Sequence, residues 1–343
     1  MRAALAGLRE AVSRRGLVVV LVATLVALGT SDLANEGNLT RLGNNLVDGL
    51  SNGSIWALVA IGYTLVYGIV ELINFAHGEV FMIGSFVAVG LYGLLGLGLA
   101  TAVPLLVVGL LVCLIVAALA SGVLNVMIER VGYRPLREAP RLAPLITAVG
   151  FSFILQNVGL LWLGGSPASV PDLIRSQAGL VEVAGITVSR GDALAVVVTA
   201  PLVIGLTLFI SRTRLGKAMR ATAQDPEAAR LMGIDVDTTI SVTFLLVGLM
   251  AGAAGLVYAL YQTTIWYFQG FTAGLIAFTA AVMGGIGNVR GALLGGLIIG
   301  VIQQTSDNRL GSEWTPAVVF GFLVLIMVLR PEGLLGERTR QAA

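Results

Sequence analysis

Hydrophobic positions in this sequence run in long unbroken stretches, without the two-residue alternation of half-buried strands or the narrow stripe of a soluble amphipathic helix. Nine stretches stand out, at residues 17–30, 50–70, 80–98, 102–128, 143–163, 193–210, 240–261, 272–302 and 315–329. A helix needs roughly 20 apolar residues to cross a hydrocarbon core of about 30 Å, and most of these stretches meet that length. Alternating segments of about ten residues, the mark of a membrane β-barrel, do not occur. The pattern predicts an all-α fold, a polytopic membrane bundle of about 8–10 helices whose backbone groups are satisfied within each helix.

Composition sharpens this picture. Of 343 residues, 57% are hydrophobic and 12% charged, with a mean hydropathy of +0.92, whereas soluble domains are about one quarter charged. So little charge cannot cover a water-soluble fold of this length, which excludes an ordinary soluble enzyme and makes the lipid bilayer the solvent of much of the surface. The formal net charge of +2 is too small to point to nucleic acid. The single cysteine, Cys113, lies in an apolar run and has no intrachain disulfide partner. It stands far from the single histidine, His77, so no chelating spacing exists and no metal site is expected.

The first stretch follows Ser13-Arg14-Arg15-Gly16-Leu17 and ends near Ala27 and Gly29, a pattern shared by cleaved signals and signal anchors. A retained anchor is expected, because Arg14 and Arg15 hold a helix start on the cytoplasmic side. The expected division is a basic cytoplasmic segment at residues 1–16, a transmembrane domain at 17–330 and a cytoplasmic tail at 331–343.

Positive charge is concentrated in four places. Arg2, Arg9, Arg14 and Arg15 precede the first stretch; Arg130, Arg134, Arg137 and Arg141 follow the fourth; Arg212, Arg214, Lys217, Arg220 and Arg230 follow the sixth; Arg330, Arg338 and Arg340 close the chain, together 16 of the 21 Lys and Arg. Cytoplasmic loops carry the excess of such residues. An amino terminus inside puts both large basic loops inside, but nine simple crossings would leave the last arginines outside. Parity is restored if residues 272–302 turn back at Gly284-Gly285-Ile286-Gly287-Asn288-Val289-Arg290-Gly291 as two half-helices. Non-helical backbone at membrane depth survives only where protein buries it or it lines a cavity, so this break and its Asn288 become candidate pathway elements.

A second polar break, from Gly68 to Glu79, lies between two stretches with almost no loop. Glu71, Asn74 and Gly78 are spaced i, i+3, i+7 and on a helix would share a face, with His77 beside it. Ionisable groups in hydrocarbon cost about 2.5–3.5 kcal/mol each and tend to mark transport routes, which makes Glu71, Asn74, His77 and Glu79 candidates. Capping of two helix ends at the cytoplasmic interface is the alternative. Small residues after each break, Gly78 to Gly84 and Gly287 or Gly291 to Gly295, fit an inverted repeat with discontinuous helices.

The basic loop at residues 212–239 carries helix punctuation: Asp225 as cap, Pro226 at the first helical position, Glu227 at the positive end and Gly233 after the last turn. It predicts a short helix of about two turns, with Ala228, Leu231 and Met232 as an apolar ridge flanked by Arg220 and Arg230. Such a ridge fits a partner's groove or, alternatively, the lipid headgroups. No G-x-x-x-x-G-K-[ST] string occurs; Gly216-Lys217 has Ser211 where the first glycine would stand, so the chain has no phosphate-cradling loop of its own. A nucleophile–histidine–carboxylate setting is equally lacking in the sequence.

The segments Asn45-Leu-Val-Asp-Gly-Leu-Ser-Asn-Gly-Ser54, Gly62-Tyr-Thr-Leu-Val-Tyr-Gly68, Ile73-Asn-Phe-Ala-His-Gly-Glu79, Ala223-Gln-Asp-Pro-Glu-Ala-Ala-Arg-Leu-Met-Gly233 and Gly284-Gly-Ile-Gly-Asn-Val-Arg-Gly291 resemble the inner-membrane permeases of ABC importers for branched-chain amino acids, of the LivH type. The resemblance covers most of the chain beyond about the first 40 residues. It implies a non-catalytic subunit, without cofactor of its own, in the bacterial inner membrane with both termini cytoplasmic. The implied partners are a second permease of the LivM type, two cytoplasmic ATPases that hold ATP and Mg, and a periplasmic amino-acid-binding protein. It also implies that Asp225, Pro226, Glu227, Arg230, Leu231, Met232 and Gly233 form the helix that couples the ATPases to the bundle. Permeases for urea, short amides or other amino acids would carry the same features, and a stand-alone ion-coupled transporter is the rival of another class.

Overall fold

The computed structural model describes residues 23–24, 26–34, 37–137, 139–140 and 142–336. The expectations for residues 1–16, for the start of the first helix, and for Arg141, Arg338 and Arg340 lie outside the described residues. The described helices are α1 (residues 26–34), α2 (Thr40–Val70), α3 (His77–Leu94), α4 (Val103–Ile128), α5 (Leu142–Leu163), α6 (Arg190–Arg212), α7 (Arg214–Gln224), α8 (Pro226–Leu231), α9 (Val236–Gln262), α10 (Gln269–Gly284), α11 (Val289–Arg309) and α12 (Thr315–Leu329). The described strands are short: β1 (Ala168–Ser169) pairs antiparallel with β4 (Thr264–Ile265), and β2 (Gly179–Val183) with β3 (Ile186–Ser189). Among the described residues, six helices are long and apolar enough to cross a membrane: α2, α3, α4 with the turns that extend it to Leu136, α5, α6 and α9. The all-α polytopic bundle expected from the hydrophobic pattern is therefore the fold observed.

Burial divides these spans into two kinds. In the most apolar windows of α2 and α9, 83% and 72% of residues are buried; in α4 and α6 only 17% and 22% are. Small residues make the difference at the centre. Gly49, Gly53 and Ala57 of α2 face Gly296 and Gly300 of α11, so that a Cβ at Gly53 would stand 2.8 Å from the Gly296 carbonyl oxygen. This is the close backbone approach by which membrane helices gain packing without a hydrophobic driving force. Leucines and valines of α4, such as Leu105, Val108, Leu111 and Leu119, instead point outward as a lipid-compatible wall.

The chain's basic loops gather at one end of the bundle. Arg134 bonds Asp237 at the start of α9, and the C-terminal segment docks on the α10–α11 turn, with Leu334 N–H to the Met283 carbonyl at 2.8 Å and Leu335 N–H to that of Gly284 at 2.9 Å. Gly68, near the end of α2, approaches Gly287. The opposite end carries the β2–β3 hairpin, tied to α2 by Thr187 N–H donating to Asn44. There Ser189 and Asp192 form a reciprocal capping box that starts α6.

The overlong stretch does turn back, as the charge parity required. Its depth differs from the expectation of half-helices meeting inside the membrane. α10 and α11 form a hairpin whose turn sits at the basic end, beside residues 330–336.

Candidate translocation site

The break after α2 is built from ordinary backbone rules. Glu71 adopts a left-handed conformation (φ 54°) that stops the helix, its N–H bonding the Tyr67 carbonyl at 2.8 Å. Asn74 then accepts from Ala76 N–H at 3.1 Å through its side chain and from His77 N–H at 3.1 Å through its carbonyl, and α3 begins. Residues 71–76 are thus not helical, and the expectation that Glu71, Asn74 and Gly78 share a helix face is corrected: left-handed backbone at Glu71 breaks the register between them.

The depth at which α3 starts is the informative feature. His77 Nε2 lies 3.2 Å from the carbonyl oxygen of Val59, eleven residues before the end of α2, or about 16 Å along its axis at 1.5 Å per residue. The ring fits because residue 62 is glycine, where a Cβ would collide with the imidazole. The chain therefore returns into the bundle before α3 resumes. Tyr63 stacks edge-on against His77 with ring centroids 5.0 Å apart.

Glu79, in the first turn of α3, is fully buried. Its Oε1 accepts from Gln156 Nε2 at 2.9 Å and from Ser152 Oγ at 3.2 Å, both on α5. Its Oε2 has no hydrogen-bond partner and lies against α10 at Gly270, where any side chain would strike the carboxylate. Ser152 and Gln156 line a cavity of about 60 Å³ between α5 and α10, whose wall includes Tyr63, Phe75, Phe153, Phe271 and Phe278. Nearer the basic end, Asn74 bonds Asn125 at 3.3 Å, Asn125 donates to the Phe244 carbonyl at 2.7 Å, and the Tyr133 hydroxyl donates to Asn74 at 3.2 Å.

Of the residues singled out in the sequence, the structure brings Asn74, His77 and Glu79 into this buried polar region. Glu71 lies apart, exposed at the end of α2. Asn288 sits at the basic end, where it caps α11 by accepting from Arg290 N–H at 3.0 Å and Gly291 N–H at 3.2 Å and donates to the Leu335 carbonyl at 2.8 Å. Sequence reasoning missed Ser152, Gln156, Asn125 and Tyr133. The first two carried a signal, polar residues spaced i, i+4 in an otherwise apolar span; Tyr133 rides on a π-helical turn (Glu129–Tyr133) that no local pattern announces.

The basic loop folds as its punctuation predicts. Asp225 accepts from Glu227 and Ala228 N–H at 2.9 Å each, α8 spans Pro226–Leu231, and Gly233 has φ 82°. Leu231 and Met232 are 88% and 82% exposed, an uncovered apolar ridge with Ala228, while Ala229 faces inward. The preceding helix α7 was not expected. Next to the ridge, buried Glu129 pairs with Arg137 at 2.5 Å and accepts from Ser241 at 2.7 Å; Asp237 holds Arg134 at 2.8 Å and also bonds Arg137. Side-chain and backbone bonds from Thr238 hold the exposed Asp235 carboxyl below its ordinary range. Because the folded value is depressed, this contribution is complete above the ordinary carboxylate range and is lost as pH falls through the lowered value.

Six membrane-length apolar helices among the described residues, packed around a buried carboxylate and an aromatic cavity, make this a polytopic membrane bundle with a polar interior. Residues 45–328 match the family described as branched-chain amino acid transport system / permease component. The chain is 43% identical, over 85% of its length and 95% of the relative's, to the high-affinity branched-chain amino acid transport system permease protein BraD of Pseudomonas aeruginosa. It is 40% identical to the permease protein LivH of the same kind of system in Escherichia coli strain K12, over 85% of this chain and 94% of that one. A more distant relative, 28% identical over 82% of the chain and 89% of the relative, is a probable LivH of Methanocaldococcus jannaschii. The chain belongs to this family of branched-chain amino-acid permease components.

Proposed function

We propose that this chain is one permease subunit of an ATP-driven importer of branched-chain amino acids. It works beside a second, LivM-type permease, two cytoplasmic ATPases and a periplasmic binding protein, with its basic end and both termini in the cytoplasm. The observation that carries this reading is identity of 43% extending over 95% of BraD. The grouping of basic loops at one end supports the orientation. The bare ridge of Leu231 and Met232 supports ATPase docking, since large apolar side chains this exposed at a loop helix suit a partner's groove.

In this reading the ATPases close on α8 when they bind nucleotide, and α8 passes the displacement to α9, whose first turn begins five residues after α8 ends. Arg134, Arg137 and Asp237 tie that turn to the end of α4, so α4 and α9 move together. The permease pair then rocks between outward-open and inward-open states, with the α5–α10 face and Glu79 along the route.

The test is ATP-dependent leucine uptake into proteoliposomes holding the reconstituted complex. Uptake that requires the ATPases and the binding protein is expected; uptake by the chain alone on an ion gradient removes the reading. Replacing Leu231 and Met232 together by Asp is expected to cut uptake about tenfold or more, the equivalent of about 1.4 kcal/mol at the docking contact, without lowering the melting temperature. Unchanged uptake in that variant excludes docking at the ridge.

A further inference from the structure

The face of the bundle between α5 and α10 has the wrong chemistry for lipid. Phe153 and Phe271 are partly uncovered there, 59% and 39% exposed, yet directly behind them stand Ser152, Gln156 and the buried carboxylate of Glu79. On the outward face of α4, by contrast, Ile115, Leu119 and Val123 are exposed. An ionisable group placed at depth turns toward a protein interior or a water-filled route, and the α5–α10 face is where this one comes nearest a cavity.

The geometry at that face specifies what it binds. The Gln156 NH2 donates to Glu79 and to Ser152, which leaves its carboxamide oxygen as the free acceptor of a residue that lines the cavity. The remaining wall is aromatic, with Tyr63, Phe75, Phe153, Phe271 and Phe278 around about 60 Å³. Ring faces attract a cation and accommodate branched hydrocarbon, and the fixed amide oxygen accepts from an ammonium. A sugar would leave most of its hydroxyls unpaired against this wall.

Resting on the permease reading above, we infer that this cavity is a substrate subsite: Gln156, oriented by Glu79, accepts from the α-ammonium group, and the aromatic wall takes a branched aliphatic side chain. The permease thus selects its substrate in addition to the binding protein. The cavity as it stands holds about two waters' share of liquid volume, so the side chain enters as α5 moves outward. α5 is suited to that movement, with only 28% of its most apolar window buried. Glu79 is a positioning residue in this arrangement, whereas Gln156 and Phe153 touch the substrate.

The experiment uses the assembled complex with its own binding protein. Photo-leucine, a diazirine analogue of leucine, is delivered during ATP turnover and cross-linked, and the adducts are mapped by mass spectrometry. Adducts are expected within residues 149–156 and 271–278; adducts confined to other segments overturn the subsite. In parallel, initial uptake rates of leucine and valine are compared. Phe153→Ala is expected to change the leucine-to-valine ratio about fivefold or more, within the range that one methylene commands in an apolar pocket. An unchanged ratio, the result if the binding protein alone selects, overturns it. Should Phe153→Ala fail to copurify with its partners, the cross-linking of the unaltered complex decides alone. A wild-type complex that takes up no leucine refutes the permease reading itself, whereas leucine uptake without these adducts refutes only the subsite.

Discussion

Two polar breaks interrupt this chain, each with glycines in or beside it, and they look alike in sequence yet lie at different depths. The break at residues 71–76 sends the chain back beside the middle of α2, so that His77 and Glu79 end inside the bundle with every face packed. The break at 284–291 is a turn at the basic end, closed by the docked C-terminal segment and capped by Asn288. Both breaks hold glycines in close backbone packing, Gly284, Gly285 and Gly291 at the second included, and depth in the bundle is what separates them. Gly78 lies against the Gly270 carbonyl and 2.8 Å, measured from a Cβ placed on it, from Gly274 of α10, an approach that leaves no room for any side chain. Gly287 has nothing within 4 Å of such a Cβ. Polar residues near glycines are thus common to both breaks, and only the first carries its polar side chains into the buried interior of the bundle.

The sharpest way to break this contrast is substitution at the two glycines. Gly78→Leu is expected to prevent assembly of a stable permease, because overpacking a site pressed against the α10 backbone costs about 3 kcal/mol or more. Gly287→Ala should cost only about 1–2 kcal/mol, the penalty of its positive φ (92°), and should leave the assembled complex intact. Size-exclusion profiles of the purified complex separate the two outcomes, and equal tolerance at both positions would remove the distinction between the breaks.

A smaller effect is expected at Glu79. Glu79→Gln preserves shape and keeps a carbonyl oxygen for Gln156 and Ser152 at the Oε1 position, but it puts an NH2 at the partnerless Oε2 position, leaving a buried donor unpaired at about 1–3 kcal/mol. Leucine uptake should fall about tenfold, the equivalent of about 1.4 kcal/mol lost at this site. Smallest of all is Asn288→Ala. It removes a cap worth about 1 kcal/mol, lowers the melting temperature by a few degrees at about that cost, and should leave the uptake rate within about twofold. A transport defect at Asn288 larger than its stability loss would place the second break on the route as well.

The bundle was legible because lipid imposes long apolar runs, and the helix at 226–231 because Asp225, Pro226 and Gly233 each satisfy a local backbone need. Residues acting locally announce themselves in this way. What escaped were features decided between helices. Gln156 and Ser152 matter only because α3 re-enters deeply enough to bring Glu79 against α5, and the Tyr133–Asn74–Asn125 chain joins the first break to the end of α4, 51 and 59 residues further along the sequence. The helical spacing of Glu71, Asn74 and Gly78 misled for the same reason, since one left-handed residue cancels a periodicity that the sequence alone displays.

The α5–α10 face as an aqueous substrate route can be tested with one cysteine. In a Cys113→Ser background, which removes a buried thiol, Phe153→Cys is exposed in the assembled, ATP-cycling complex to a membrane-impermeant methanethiosulfonate, with Ile115→Cys on α4 as the lipid-facing reference. Rapid modification at residue 153, slowed by leucine and its binding protein, with none at 115, is expected. Modification of neither, with both reached only by a lipid-soluble maleimide, would contradict a route along this face.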